Sequence, residues 1–485
     1  MFQYFAQLTD FLWGMPLLGA IVITGIFFTF KTRGFQFTHL GLIIKNLFRA
    51  NKEADKSGKS LTPFQAISVA VGGTVGVSNM SGVATAIATG GPGALFWIWI
   101  AALLGMIIKM AEVTLAVYYR ESEPDGTYRG GPTYYMEKAL GVERGWKIWK
   151  VLAPIFGIGI FLTWPITIQN YTISEAIGST FSIPYIIPSI ALVICIYIVT
   201  IGGLKKIGIF ASYVTPIMCG FYMICGLIIL IVNFENLPET FAAIFKGAFT
   251  TQAATGGFAG ATVAMAMRFG FARSVYSNEA GWGTSPMVHA AAKTDHPVKQ
   301  GLLGAFEVFA DTILVCTMTG LVVIATGYWN SGMTGASLTL TAFESVMGTW
   351  ARIIIALSIF LFGLTTNTGW FTYYMTLLNH AFEDGSKIKK VFVTIFVIGN
   401  PLWGFLILVA SVYWGGTPAE IWTLADFSSV IPTFVNVVVL FIIGGKFIEL
   451  LKDYCARYLG EGKVDPDFNL FYEDELRARE KRQDK

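Results

Sequence analysis

The sequence predicts an all-α integral membrane protein of eleven transmembrane helices: one N-terminal helix followed by two five-helix units of opposite topology. Three observations predict it. The 485 residues are 54% hydrophobic and only 13% charged, with mean hydropathy +0.60, whereas soluble domains carry about 25% charged residues. Eleven apolar runs have the length that crosses a bilayer. The connections between the last ten runs repeat one pattern of lengths on opposite sides of the membrane.

In order, the runs lie at 11–30, 64–89, 93–118, 149–178, 184–203, 209–232, 252–290, 300–327, 352–380, 391–413 and 418–445. The first lacks a basic start and a cleavage site, so it reads as a mature helix and not as a signal peptide. The run 252–290 exceeds one straight span and predicts a bend or break.

Lys and Arg set the orientation. Segment 31–63 carries Lys31, Arg33, Lys45, Arg49, Lys52, Lys56 and Lys59 against Glu53 and Asp55, which places it in the cytoplasm and the N-terminus outside. Lys205, Lys206, Lys293, Lys299, Lys387, Lys389 and Lys390 then fall on inner loops, and 328–350 and 414–417 carry no Lys or Arg. Lys246 is the exception, on an outer segment with Glu235 and Glu239. The C-terminus is therefore expected inside, in a multi-pass protein of the cell membrane.

Long connections at 119–148 and 328–351 each join the second and third helices of a five-helix unit, one inside and one outside. That is the pattern of an inverted repeat. The expected organisation is an N-terminal helix with a basic loop at 1–63, a first unit at 64–232, a second at 252–445 and a charged cytoplasmic tail at 446–485. The tail reads as solvated and partly helical.

Several functions are disfavoured. A net charge of +3 argues against a nucleic-acid partner. Cys195, Cys219, Cys225, Cys316 and Cys455 are scattered, as are His39, His289, His296 and His380, so neither disulfides nor a His/Cys metal site is expected. No G-x-x-x-x-G-K-S/T motif is present, which leaves ATP coupling without support.

The first helix of the first unit reads "VAVGGTVGVSNMSGVATAIATGGPG", residues 69–93, with Gly72, Gly73, Gly76, Ser78, Asn79, Ser81 and Gly82 at its middle. Glycine costs about 1 kcal/mol against alanine in a helix interior, and a bare asparagine needs partners that lipid lacks. The equivalent element of the second unit contains "YSNEAGWGTSPMVHAAA", residues 276–292, with Gly281, Gly283 and Pro286. Close helix packing alone would account for one such glycine cluster. Two in equivalent positions of opposed repeats point to a pair of broken helices. Unwinding there frees carbonyls for a cation and amide groups for an anion.

At these residues the chain resembles a known family. "GVATAIATGGPGALFWIWIAALLGMIIKMAEVTLAVYYRE", "YRGGPTYYMEKALG" and the stretch "GGFAGATVAMAMRFGFARSVYSNEAGWGTSPMVHAAAKTDHPVKQGLLGAFEVFADTILVCTMTG", residues 256–320, are similar to the sodium:alanine symporter family. The resemblance covers most of 64–445. It implies a leucine-transporter-like fold, Na⁺ coupling and a small neutral amino acid, alanine or glycine, as cargo.

It also implies a site. One Na⁺ would lie between the carbonyls of Gly72 and Val75 at the first break and, from "FLFGLTTNTGW", the Phe362 carbonyl with the Thr365 and Thr366 hydroxyls. The competing reading of the two threonines is back-bonding within their own helix. The cargo carboxylate would meet amide groups around Gly73, Thr74 and Gly76. Asn79 has three readings: a cargo ligand, a ligand to a second cation, or a cap on the resumed helix. Gln169, Trp282, Gly283, Thr366 and Trp370 would complete the cargo site.

Four stretches depart from the family pattern: "GVSNMSG", Trp282 where an aliphatic residue is usual, Trp164–Pro165, and "TTNTGWFTYYM". Trp282, pointing inward, would shrink the pocket.

Intramembrane charges are functional candidates by default. Lys109 and Glu112 read as an anchor or gate bridge near the cytoplasmic end. Glu307 and Asp311 share a helix face, and Arg268, Arg273 and Glu279 flank the second break, where a gate ion pair would fit. The plainer reading is a satisfied network inside the bundle. The rival functions are proton coupling on the same fold, which wants a carboxylate or lysine at the Na⁺ position, and a sensor or membrane enzyme. A tail of roughly 40 residues is short for a sensor domain, and only His289 is near the breaks as a catalytic base.

Overall fold

The computed structural model describes residues 2–50, 60–165, 169–253, 256, 258–414 and 418–483. The described chain is helical apart from a small hairpin, in which Glu121–Ser122 pairs antiparallel with Tyr128–Arg129. Among the described residues seven helices are long and apolar enough to cross a membrane, and the bent pair Pro63–Thr74 and Ser78–Gly90 makes an eighth span. The protein is thus an all-α, multi-pass membrane protein. The other three of the eleven runs fall on shorter pieces: Trp149–Leu162 with Gln169–Phe181, Ile186–Thr200, and Val263–Asn278 with Pro286–Ala290.

Both predicted breaks are present. Helix Pro63–Thr74 starts from a reciprocal cap, Thr62 accepting from Gln65 N–H and Gln65 accepting from Thr62 N–H, with proline at its first turn. It stops at Val75, whose ψ of 95° is extended, and resumes in a wide π turn at Ser78–Gly82 with its axis bent by 45°. Helix Val263–Asn278 ends on Glu279 in the left-handed region, φ 53°. Gly281 and Gly283 follow at φ +86° and +82°, a conformation that favours glycine, before Pro286 restarts the helix.

The four half-helices pack crosswise. Pro63–Thr74 lies against Pro286–Ala290, and Val83–Gly90 against Val263–Asn278. Lys293 N–H donates to Leu61 O at 3.0 Å, tying the start of the first element to the end of the second. Each half before a break therefore meets the half after the other break, running in the opposite direction. Helix Gly93–Tyr118 flanks the second element, and Thr349–Ala381 with Gly203–Val232 flank the first.

Connections read as loops hold helices of their own: Leu40–Ala50, Leu237–Phe249 and Gly335–Met347. The last span runs Pro418–Tyr454, past its predicted end at 445. The tail beyond it is exposed over 460–467, as expected, but docks on the protein around 471–475. Tyr472 is 1% exposed, Ser122 N–H donates to Glu473 at 2.7 Å, Tyr118 donates its hydroxyl to Glu475, and Arg120 sits 4.8 Å over the Phe471 ring. Charge balance hid this docking because the acidic residues have specific donors and the aromatic pair fills a slot.

Candidate cation and cargo site

The first break closes tightly on helix Thr349–Ala381, and glycine makes that possible. A Cβ on Gly76 would stand 2.6 Å from Thr366 Oγ1, on Gly73 2.7 Å from the Tyr373 hydroxyl, and on Gly72 2.8 Å from Thr215 Oγ1. Oxygen atoms gather in the resulting seam. Thr366 Oγ1 lies 2.9 Å from Phe362 O and 3.2 Å from Gly72 O, and Thr365 Oγ1 donates to Phe362 O at 2.9 Å. Both threonines bond carbonyls of their own helix, as mid-helix hydroxyls do. Thr366 also reaches across to the broken helix. Gly72, Phe362, Thr365 and Thr366 are therefore together, and the extended ψ of Val75 turns its carbonyl off the helix axis. Neutral oxygens of this kind suit a hard monovalent cation.

Beside the seam is a small cavity walled by Trp164, Tyr276, Trp282, Thr366, Trp370 and Tyr374. Gln169, Thr163, Asn367, Asn400 and Ser428 supply polar groups to the same wall. Trp282 and Trp370 meet edge to face, centroids 5.3 Å apart. Trp370 Nε1 donates to Glu279 Oε1 at 2.9 Å, whereas the buried Trp282 Nε1 has no hydrogen-bond partner. Trp282 thus points inward. Tyr276, Thr163, Asn400 and Ser428 were not foreseen, because a lone polar or aromatic residue on an apolar helix carries no signal of which way it faces.

The other candidate residues lie elsewhere. Thr74 donates its hydroxyl to Ala70 O at 3.1 Å, and Gly76 N–H donates to Asn79 Oδ1 at 2.8 Å. Asn79 Oδ1 thus reaches back across the break, and its Nδ2 donates to Asp311 Oδ1 at 2.6 Å. Gly283 packs away from the cavity, where a Cβ would meet Pro132 and Phe156. Gly73 faces Tyr373, whose buried hydroxyl has no hydrogen-bond partner.

The charges form a network inside the bundle, the plainer of the two readings of the sequence, with partners the sequence did not show. Lys109 and Glu112 are fully buried and do not anchor a helix end. Lys109 Nζ donates to the carbonyl of Glu279 at 2.7 Å, and Glu112 accepts from Gly281 N–H at 3.1 Å, so both serve the second break. Arg273 pairs with Asp426 at 2.5 Å, joining the second broken element to the last span close to the cavity wall at Ala425 and Ser428.

The chain matches the model of the sodium:alanine symporter family over residues 1–469. It is 36% identical over 455 residues to the uncharacterized transporter YflA of Bacillus subtilis, covering 92% of each chain. It is 34% identical over 460 residues to the sodium/alanine symporter AgcS of Methanococcus maripaludis, covering 94% of this chain and 97% of that one. Identity to the probable sodium/glutamine symporter GlnT of Bacillus subtilis is 34% over 475 residues, covering 96% and 92%. Built around two broken helices, an oxygen-lined seam and an aromatic cavity, the chain belongs to the sodium:alanine symporter family, a family of membrane transporters and not of enzymes.

Proposed function

We propose that the protein is a Na⁺-coupled symporter that imports a small neutral amino acid, alanine or glycine, by alternating access. Thr366 carries the reading. Its hydroxyl reaches the Gly72 carbonyl in the seam and its side chain walls the cavity, so one residue borders both a cation and its cargo. Na⁺ would take the oxygens of Gly72, Val75, Phe362, Thr365 and Thr366. The cargo would fill the space between Gln169, Trp282 and Trp370. Its carboxylate would turn toward Gly73–Gly76 and compete with Asn79 for the Gly76 amide.

The family supports Na⁺ as the coupling ion, and the relative named as a sodium/alanine symporter supports the cargo class. Crosswise packing of the half-helices supports two inverted units, 64–232 and 252–445, that let two helix bundles rock about a fixed site. The basic inner loops support an outside N-terminus and a cytoplasmic C-terminus. If Na⁺ and cargo each favour binding of the other, the linkage is reciprocal. Each Na⁺ entering a negative-inside cell then contributes about 2.3 kcal/mol per 100 mV, enough to concentrate cargo more than tenfold.

Uptake of labelled alanine, glycine and glutamine into proteoliposomes tests this, comparing an inward Na⁺ gradient with choline and with an inward proton gradient. Accumulation of alanine or glycine with Na⁺ alone is the expected result. Uptake driven by protons alone would overturn the cation assignment and keep the transporter.

A further inference from the structure

Behind the cavity, the second break encloses a group of charges that cargo and Na⁺ binding do not use. The Lys109 ammonium is fully buried. It donates to Glu279 O at 2.7 Å and Ser285 Oγ at 3.0 Å, and lies 3.8 Å from Glu112 and 3.7 Å from Glu307. Glu112, Glu279 and Glu307 are at most 2% exposed. One ammonium thus faces three carboxylates inside the membrane, and among the described residues no other Lys or Arg pairs with them. Excess buried charge of one sign is expensive, and a group so placed takes up protons or pairs with a cation.

Hydrogen bonding sets one of the three carboxylates apart from the other two. Glu112 accepts from Gly281 N–H at 3.1 Å and Asn436 Nδ2 at 2.6 Å, one bond to each carboxyl oxygen. Glu279 accepts from Thr284 and from Trp370 Nε1 at 2.9 Å, again one bond to each oxygen. Glu307 differs. Its Oε2 accepts from Ser285 Oγ at 3.1 Å and lies 3.1 Å from His289 Nε2, but its Oε1 accepts no hydrogen bond.

His289 Nδ1 is 2.7 Å from Gln300 Nε2, and Gln300 Oε1 is buried without a hydrogen-bond partner. As placed, Gln300 donates to a neutral imidazole that donates to Glu307. With the Gln300 amide turned over, Oε1 accepts from Nδ1–H and the ring is an imidazolium. Both protonation states therefore have their partners in place. The other titratable groups packed here are Tyr135, bonded to Asn436, the buried Tyr373, and Asp311 one turn beyond Glu307 on the same helix.

We propose that the His289–Glu307 pair is a proton-binding site, linked to the aromatic cavity through Lys109, Glu279 and Trp370. A proton on the pair, whichever of the two side chains holds it, lowers the net negative charge facing Lys109 and weakens the repulsion among the three carboxylates. The ammonium that grips the Glu279 carbonyl then settles differently, and Glu279 is the residue that holds the Trp370 indole. The site needs no cargo or Na⁺ to be loaded, so it stands or falls separately from the transport reading.

The test is tryptophan emission of the purified full chain in detergent, without cargo, titrated between about pH 4.5 and 8.5, the span over which a histidine–carboxylate pair exchanges a proton. Wild type should show one transition, Trp370→Phe should lose most of its amplitude, and Glu307→Gln should abolish it or move its midpoint by about one pH unit or more. A folded Glu307→Gln with the wild-type midpoint and amplitude would overturn the proposal, as would a flat wild-type titration. If Glu307→Gln elutes as aggregate, His289→Gln takes its place under the same criteria.

Discussion

Asn79 and Asp311 lock the two breaks together. The Asn79 amide donates to Asp311 Oδ1 at 2.6 Å while its oxygen accepts from Gly76 N–H at 2.8 Å. The second Asp311 oxygen accepts from Ser277 at 2.8 Å and Thr312 at 2.7 Å. Ser277 lies on the last turn before the second break, so one carboxylate holds both broken elements from the wide π turn Phe309–Cys316. Such turns recur at functional sites.

Asn79→Asp sets two carboxylates face to face, and Asn79→Ala only removes donors. The first should cost about 3–5 kcal/mol and the second about 1–3 kcal/mol, read as the order of melting temperatures in detergent. Equal melting temperatures for Asn79→Asp and wild type would show that the introduced carboxyl and Asp311 share a proton.

Thr366→Ala removes the hydroxyl that bridges Phe362 and Gly72. The half-saturating Na⁺ concentration for uptake should rise about tenfold, as for losing about 1.4 kcal/mol of binding, with Thr366→Ser close to wild type. An unchanged Na⁺ dependence in Thr366→Ala places the cation elsewhere.

Gly76→Ala puts a methyl group 2.6 Å from Thr366 Oγ1. Separating the broken helix from its neighbour should cost about 1–3 kcal/mol and reduce uptake by about tenfold or more, the loss that 1.4 kcal/mol at the site produces. Full activity in this variant would show that the seam opens freely during the cycle.

Trp282→Leu exchanges an indole in contact with Trp370 and Tyr276 for a smaller side chain. Uptake of glutamine or leucine relative to alanine should rise about tenfold, the usual scale for a pocket differing by one or two methylene groups. An unaltered size profile would remove Trp282 from the selectivity wall.

His296 caps helix Pro297–Val308 by accepting Val298 N–H at Nδ1, 3.1 Å, with Nε2 3.2 Å from Asp453. Burial lowers its pKa from 6.5 to about 4, with Asp453 opposing the shift. The unfolded segment therefore binds a proton at a higher pH than the folded one, and stability falls as the pH drops from 6.5 toward 4. His296→Asn keeps a capping acceptor without the titration, so its melting temperature should depend less on pH across that window. Equal slopes would mean that the loss at acid pH arises elsewhere.

The sequence by itself determined what local chemistry dictates: the membrane class, from apolar run length, and the two breaks, from glycine and polar residues that a lipid-facing helix does not tolerate. Both appeared where expected, at Val75–Gly76 and Glu279–Ser285. The grouping of Gly72 and Phe362 with Thr365 and Thr366 was legible through the resemblance, since spacing alone also fits back-bonded threonines.

Tertiary structure decided the rest. Lys109 reads as half of an i, i+3 anchor or gate bridge until helix packing puts Glu279 and Ser285 against it. Asn79 reads as a cargo ligand, a cation ligand or a cap until Asp311, 232 residues away, meets its amide. The tail reads as solvated until Tyr472 finds its slot. A buried charge or amide takes whatever partner the neighbouring helix presents, and that neighbour is fixed by packing over the whole chain, which no local pattern records.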